Sequence, residues 1–363
     1  MKRSYLTYLL FIIAMTLFVI LRINAGKALA AENVQADTEP VAAAGTVPTK
    51  APSETEPGPE ETVTPAPADE NEYLYRGEVE PLSEYDGVNP RIVCWGDSLT
   101  VSLDNASAYP DILRQLSGCE VINYGVEMDS AAMIAMREGG LRVNVKATVI
   151  PADTNLIPVF LRTEDNGHVR FLDNGDGGVN PCSISGIEGE LSKLNGSYYF
   201  KRSRKGERLS IDEGTQFKTF GMNDAREGDV LVIFAGTNDL PDAKSVQQII
   251  KLEQAMLEAA SCSRYVIVGL TYAGGIPQID EVNEAMHEAF GDNFLDIRKY
   301  MLTYGLDDAG ITPTAQDEED IAKGEIPSSL RSDYVHGNKH YHRLLGQQLY
   351  RRMCYLGYLE EKK

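Results

Sequence analysis

The chain has 363 residues, 43% of them hydrophobic, which is enough to build one large domain or two modest ones. Its formal net charge of −20 argues against a nucleic-acid partner, because phosphate groups are bound by surfaces rich in Lys and Arg. Much of this charge lies in residues 31–90, where 14 Asp and Glu residues accompany only Lys50 and Arg76. The remainder is only mildly acidic, and its composition therefore says little about a substrate.

Residues 1–30 are typical of an export signal. Two basic residues precede an uncharged, mostly apolar run over residues 4–21, and an Ala-x-Ala cleavage pattern ends at Ala30. The run is long for a signal peptide and slightly short for a membrane span, which needs about 20 residues. We therefore predict an exported protein, extracellular or at the cell surface, either cleaved after Ala30 or tethered to a membrane through residues 4–21.

Residues 31–72 are rich in Pro, Thr, Ala and Glu and show no apolar periodicity. A segment of this composition buries too little apolar surface to offset the entropy cost of ordering. We predict a disordered linker that holds the folded part of the chain away from a membrane or wall.

Short apolar runs alternate with amphipathic segments in the rest of the chain. A short apolar run that ends in a turn residue is typical of a strand buried on both faces. Alternation of such strands with helices predicts an α/β fold with a parallel sheet of about five strands, covered on both faces. The predicted strands are residues 91–96, 119–125, 229–236, 264–270 and 293–297, and the predicted helices are 109–116, 130–137, 244–260 and 339–356.

Residues 140–228 interrupt this alternation, because roughly 90 residues far exceed an ordinary α/β connection. The segment has strand patterns, so we predict a β-rich subdomain inserted into a domain formed by residues 73–139 and 229–363. Two hairpins are predicted, one turning at Asn166-Gly167 and one joining SYYFKR to ERLSI. The DNGDGG run at 173–178 has the look of a calcium loop but lacks its downstream bidentate Glu, which favours a Gly-rich turn.

Polar residues and a glycine follow the predicted strands at the carboxyl edge, where sites form in parallel sheets. A further pair precedes the final helix. These residues are Asp97 and Ser98 after the first strand, Gly125 at the end of the second, Asn238 and Asp239 after the third, and Asp333 and His336 before the last helix.

These residue types suit acyl transfer. A serine hydroxyl such as that of Ser98 is a weak nucleophile until a base accepts its proton, and a histidine such as His336 is the commonest base in that role. Asp333, three residues earlier, can accept the Nδ1 hydrogen of the imidazole and hold its tautomer. The backbone N–H groups of Ser98 and Gly125 and the Asn238 amide are candidate donors to the oxyanion.

Some of these candidates also have a purely structural interpretation. Ser98 is an equally good helix N-cap when taken alone, and Asn238 is a common turn residue. His336, His340 and His342 could together bind zinc, but two residues at i and i+2 point apart on a helix. We favour a place for His340 and His342 in the first turn of the final helix, and we predict no metal ion and no organic cofactor.

Four motifs, taken together, resemble the sequence blocks of the SGNH, or GDSL, hydrolases. They occur in family order and are Gly96–Leu99 (GDSL), Gly125, Gly236–Asp239 (GTND) and Asp333–His336 (DYVH). The resemblance implies a flavodoxin-like three-layer αβα fold with Ser98 as the nucleophile. It also implies His336 as the base, with Asp333 as its partner, and Gly125 and Asn238 as oxyanion donors.

The expected function is an exported serine esterase that hydrolyses small acyl esters through an acyl-Ser98 intermediate. An O-acetyl ester on extracellular or cell-wall carbohydrate is the favoured substrate, since the linker suits a surface enzyme and no long apolar lid is evident. The alternatives are a lysophospholipase or thioesterase of the same fold, and a non-catalytic surface protein that binds glycan. Their positions make five further residues candidates to line the site: Asp97, Met128, Asp129, Asp239 and Tyr272.

Two other features are left open. Cys94 and Cys119 lie in neighbouring predicted strands, so a disulfide between them is conceivable, although five cysteines without regular spacing do not indicate a disulfide framework. A basic run between Lys201 and Arg208 could bind an anionic glycan, but a solvated hairpin face is the favoured interpretation.

Overall fold

A computed structural model describes Tyr75, Arg76, Leu82, Tyr85 and residues 87–101, 108–239, 243–271 and 279–361. The predicted export segment, the possible tether, the predicted linker and Tyr272 lie outside these residues. Within the described ranges, no helix combines the length and the apolar character that crossing a membrane requires.

In chain order the strands are β1 (Ile92–Gly96), β2 (Val121–Gly125), β3 (Val143–Val145), β4 (Thr148–Ile150), β5 (Ile157–Val159), β6 (Leu161–Thr163), β7 (Cys182–Ile184), β8 (Ile187–Leu194), β9 (Ser197–Arg202), β10 (Leu209–Ile211), β11 (Thr215–Lys218), β12 (Val230–Phe234), β13 (Tyr265–Val268) and β14 (Phe294–Leu295). The helices are α1 (Ser98–Val101), α2 (Tyr109–Ser117), α3 (Ala131–Glu138), α4 (Phe220–Asp224), α5 (Ala243–Ala259), α6 (Ile279–Phe290), α7 (Ile297–Thr303), α8 (Gly305–Ala309), α9 (Ala315–Ala322) and α10 (Lys339–Tyr355).

The predicted five-stranded parallel sheet is confirmed, with strand order β2-β1-β12-β13-β14. Every residue of β1 and β12 is buried, which explains why these strands are unbroken apolar runs in the sequence. The chain leaves β1 for β2 on one side and returns to β12 on the other, so the switch point of the sheet lies beside β1. The flavodoxin-like three-layer arrangement stays a prediction.

Helix α10, predicted over residues 339–356, has one continuous apolar face. Tyr341, Leu345, Leu349 and Met353 recur every four residues and are all fully buried. The Asn338 side chain caps the helix by accepting from the first-turn backbone N–H groups.

His340 and His342 lie in the first turn of α10, as their sequence positions indicate, and His342 is buried. No group of three His, Cys, Asp or Glu side chains that could hold a metal ion is found among the described residues. The alternative of a zinc cluster with His336 therefore has no geometric support.

The inserted region is β-rich and has a hydrophobic core of its own. An antiparallel sheet runs in the order β5-β9-β8-β7-β11-β3-β6, and β10 pairs separately with β4. Its buried side chains include Val143, Leu161, Phe171, Phe200 and Phe217.

The pairing inside the insert differs from the two predicted hairpins. SYYFKR forms β9, which pairs with β8 through the turn at Asn195-Gly196, whereas ERLSI contains β10 and pairs with β4. Asn195 and Gly196 have φ values of 50° and 79°, the left-handed conformation that two-residue hairpin turns need. At Asn166-Gly167 only one isolated bridge, between Arg162 and His168, forms across the turn.

All five cysteines are free thiols. Cys94 in β1 stands opposite Asn123 of β2. Cys119 lies two residues before β2 begins, and the two thiols do not pair.

The basic run is not a uniform solvated face. The Arg202 side chain is buried and donates from Nη1 to the carbonyl oxygens of Pro151 and Glu207, both at 2.8 Å. The other basic residues of the run are exposed. Arg202 therefore joins two loops of the insert, and the remaining charges face solvent.

The apolar face of α10 yields a stability prediction. Leu345 is 0% exposed, so Leu345→Ala should lower the free energy of unfolding by about 2–5 kcal/mol through lost apolar burial and a residual cavity. Denaturant titration of the purified protein measures this change. The matched control Leu156→Ala, at a site 46% exposed, should change stability by less than about 0.5 kcal/mol. Equal effects of the two substitutions would contradict the packing described for α10.

Candidate active site

Asp97, not Ser98, caps helix α1. Asp97 Oδ1 accepts from the Leu99 N–H at 2.9 Å, and its backbone oxygen accepts from the Val101 N–H at 3.1 Å. Ser98 is the first helical residue and is only 6% exposed. Its hydroxyl is therefore left for another partner, and its N–H has no acceptor within the helix.

Ser98, His336 and Asp333 form a continuous chain of hydrogen-bonding groups. Ser98 Oγ lies 2.9 Å from His336 Nε2, and His336 Nδ1 lies 2.8 Å from Asp333 Oδ2. With the proton on Nδ1, the imidazole donates to the carboxylate and presents a lone pair to the serine hydroxyl. This arrangement is the one a general base needs to accept the serine proton.

The Asp333 carboxylate is held by its own turn. Its Oδ1 accepts from the backbone N–H groups of Val335 and His336, both at 2.7 Å, while Oδ2 faces the imidazole. Partial burial acts to raise the pKa of Asp333, but these hydrogen bonds outweigh it and leave the pKa below the usual aspartate value. Asp333 thus stays ionised at neutral pH, as the orienting acid of such a chain should.

Of the three candidate oxyanion donors, Gly125 and Asn238 already donate to acceptors within the protein. The Gly125 N–H donates to the Asn123 side chain at 2.9 Å. The Asn238 amide donates to the Asp129 backbone oxygen at 2.9 Å and, over a longer distance of 3.3 Å, to Asp97 Oδ2. A ligand oxygen would therefore have to share each donor group with its present acceptor or take the place of that acceptor. The 3.3 Å hydrogen bond from Asn238 to Asp97 is the weakest of these bonds.

The predicted site-lining residues divide into two groups. Asp97 and Asp129 are buried next to the turn Gly96–Leu99 that carries Ser98, hereafter the serine turn, and Asp239 accepts from the Ala131 N–H at 2.8 Å at the start of α3. Their carboxylates hold loops in place because each one accepts hydrogen bonds. Met128 is 65% exposed and has a left-handed φ of 62°, so it faces solvent beside the turn.

Two residues of this region were not singled out from the sequence. Asn123 joins the end of β2 to α1, because its amide donates to the Thr100 carbonyl at 3.0 Å while its oxygen accepts from Gly125. Arg137 is buried behind the serine turn and pairs with Asp129 at 2.8 Å. The available signals were an Asn two residues before a strand-end glycine and a basic residue directly after the apolar helical run AAMIAM.

No protein-family model and no curated protein matches the chain. Among solved structures, the chain is similar to the lipase/acylhydrolase from Enterococcus faecalis, with 16% identity, 76% of this chain and 99% of that chain covered, and a TM-score of 0.40. It is also similar to the acetyl xylan esterase AlAXEase (13% identity, 71% and 97% covered, TM-score 0.39) and to a lipolytic protein of the G-D-S-L family from Veillonella parvula (14%, 71% and 94%, TM-score 0.34).

The resemblance to G-D-S-L proteins that the sequence motifs indicate is thus also found among solved structures. At these TM-scores the likeness adds no weight to a functional assignment. The functional assignment therefore depends on the positions of the side chains around Ser98.

The buried Asp97 yields a pH prediction. Burial raises the pKa of Asp97 to about 7, and the hydrogen bond from Leu99 opposes this only in part. Because the pKa is higher in the folded state, the contribution of Asp97 to the free energy of unfolding is fully present below about pH 4. This contribution is lost as the pH rises through about 7. Asp97→Asn removes this loss, so the unfolding free energy of the variant relative to the wild type should rise by up to about 4 kcal/mol between those pH values.

Denaturant titrations across that pH range measure the difference. Asp212→Asn, at an exposed position of the insert, serves as the control and should show a nearly constant difference from the wild type. A difference for Asp97→Asn that is equally flat would show that the folded protein does not disfavour the Asp97 anion.

Proposed function

We propose that the chain is an exported serine ester hydrolase that acts through an acyl-Ser98 intermediate. The observation that supports this most is the hydrogen-bonded chain Ser98 Oγ, His336 and Asp333, with successive distances of 2.9 and 2.8 Å. The three groups come from positions up to 238 residues apart in sequence. Residues this distant have no local structural reason to form such a chain.

In the proposed mechanism, His336 Nε2 takes the proton from Ser98 as the hydroxyl oxygen attacks the ester carbonyl carbon. Asp333 holds the imidazole and stabilises its cation. The carbonyl oxygen gains negative charge and is stabilised by the Ser98 N–H and by the Asn238 amide, which turns away from Asp97. The Gly125 N–H can also donate to this oxygen, but it shares its hydrogen with the Asn123 side chain.

The intermediate then collapses and His336 returns the proton to the leaving alcohol, so the alcohol departs and Ser98 keeps the acyl group. Water enters, loses a proton to His336 and attacks the acyl carbon through the same oxyanion site. As the second intermediate collapses, the bond between the acyl carbon and Ser98 Oγ breaks, His336 returns its proton to Oγ, and the acid is released. Two successive displacements of this kind produce ping-pong kinetics.

The proposed substrate is a small acyl ester, with an O-acetyl group on extracellular or cell-wall carbohydrate as the first choice. The export pattern over residues 1–30 and the linker-like composition of residues 31–72 support a location outside the cell. Asn238 is exposed and the His336 ring is partly exposed, which suits an ester displayed on a large polymer. A lysophospholipase or thioesterase is the alternative within the same chemistry.

A non-catalytic glycan-binding protein is less well supported. Such a protein would have no reason to keep an ionised carboxylate aligned through an imidazole onto a largely buried serine.

The first functional prediction concerns Ser98. The wild-type protein should hydrolyse p-nitrophenyl acetate, and Ser98→Ala should lower kcat on the order of 10⁴- to 10⁶-fold, because removal of the nucleophile removes the covalent route. Ser197→Ala, at an exposed serine of the insert, should leave kcat unchanged. Equal rates for the wild type and Ser98→Ala would refute the proposed function.

The second concerns the substrate. The wild type should release acetate from an O-acetylated polysaccharide at a higher kcat/KM than it releases fatty acid from a lysophospholipid. Both products can be followed by an enzyme-coupled assay, with Ser98→Ala as the blank. A preference for the lysophospholipid would reject the acetyl-glycan assignment and favour the alternative.

A further inference from the structure

Arg137, near the end of α3, places its guanidinium behind the serine turn. The side chain is 2% exposed and stacks over the Trp95 ring at 5.4 Å. Its nitrogens donate to four oxygens from three segments of the chain. These are Asp129 Oδ2 (2.8 Å) and the carbonyl oxygens of Tyr124 (2.7 Å), Gly177 (2.6 Å) and Gly96 (3.2 Å).

Two of these acceptors are directly linked to proposed oxyanion donors. The Tyr124 carbonyl belongs to the same planar peptide group as the Gly125 N–H, so a hydrogen bond to that oxygen fixes the direction in which the N–H points. It also polarises the peptide and makes the N–H a stronger donor. Asp129, the ion-pair partner of Arg137, supplies the backbone oxygen that holds the Asn238 amide.

The third acceptor reaches the nucleophile. Gly96 lies two residues before Ser98 in the chain. Its carbonyl oxygen accepts from Arg137 and from the Val126 N–H. One guanidinium therefore sets the relative positions of the turn that carries the serine and of the loop that carries Gly125.

The fourth acceptor belongs to the insert. Gly177 lies in the DNGDGG segment, has a left-handed φ of 49°, and accepts from Arg137 Nη1 through its carbonyl oxygen. A side chain at Gly177 would overlap Val126 and come within 2.7 Å of Arg137 Nη1. In the same segment, the Asn174 amide donates to the Glu127 carbonyl at 3.0 Å.

We propose that Arg137 is a positioning residue for the oxyanion hole, and that the insert holds Arg137 in its working orientation through Gly177. This inference rests on the proposed function, because it assigns Arg137 a task in stabilising the same oxyanion. The insert is then a structural part of the reaction site.

The fork of the guanidinium is essential to this role. Four acceptors that approach from different directions require a planar group with five N–H donors, whereas a lysine ammonium has three donors at a single point. Arg137→Lys keeps the charge next to Asp129 and loses the fixed geometry. It therefore separates orientation from simple charge compensation.

The test compares the full-length wild type with Arg137→Lys and Gly177→Ala. Each is assayed for kcat and KM with p-nitrophenyl acetate, for the inhibition constant of an alkylboronic acid, and for thermal unfolding. The boronic acid forms a tetrahedral adduct with serine and so reports on the oxyanion site. Gly196→Ala is the matched control, because Gly196 also has a positive φ in the insert but nothing within 4 Å of an added side chain.

A misplacement of reacting groups by about 1 Å costs on the order of 100-fold in rate. We expect Arg137→Lys to lower kcat by roughly that factor, with little change in KM and a parallel loss of boronic acid affinity. Gly177→Ala should lower kcat and the boronic acid affinity by about tenfold each, which is less than the roughly 100-fold or greater cost of removing an oxyanion donor outright. Gly196→Ala should match the wild type in kcat and inhibition.

Wild-type kcat in folded Arg137→Lys, or equal losses in Gly177→Ala and Gly196→Ala, would overturn the inference. If Arg137→Lys does not fold, the pair of glycine variants decides alone. Failure of the proposed function looks different, because the wild type itself would then neither hydrolyse the ester nor bind the boronic acid.

Discussion

The parallel register of β1 with its two neighbours is the constraint on which the candidate site depends. Gly96 stands opposite Gly125 on one side and Phe234 on the other, so three strands end at the same level. Because parallel strands all point one way, the loops that follow them emerge at one edge of the sheet. The serine turn, the Gly125 loop and the Asn238 turn meet there for that reason.

The polar groups behind this edge are costly to bury and are therefore densely hydrogen-bonded. Asp97, Asp129 and Arg137 are each less than 5% exposed, and each has partners that belong to the loops of the site. A buried charge without such partners would cost several kcal/mol. Burying these polar groups lowers the stability of the fold, but their hydrogen bonds fix a loop geometry that apolar packing alone would not specify. This pattern recurs at functional sites.

Much of the architecture could be predicted because the sequence carries it locally. Strands β1 and β12 are apolar at nearly every position, and the stripe on α10 repeats every four residues. The pairing of β9 could not be predicted so well, since SYYFKR has a plausible turn on either side. Asn195-Gly196 was the stronger signal, and the left-handed φ of both residues shows why.

The sequence by itself determined the residue types of the chemistry, namely a serine after a buried strand, an Asp three residues before a His, and their order along the chain. Only the tertiary structure decided that Asp97 caps the helix in place of Ser98, and that the Gly125 N–H already has an acceptor in Asn123. It alone brought Arg137 of α3 together with Gly177 of the insert. The physical reason is that hydrogen bonds between distant segments depend on direction and distance, which a sequence pattern does not contain.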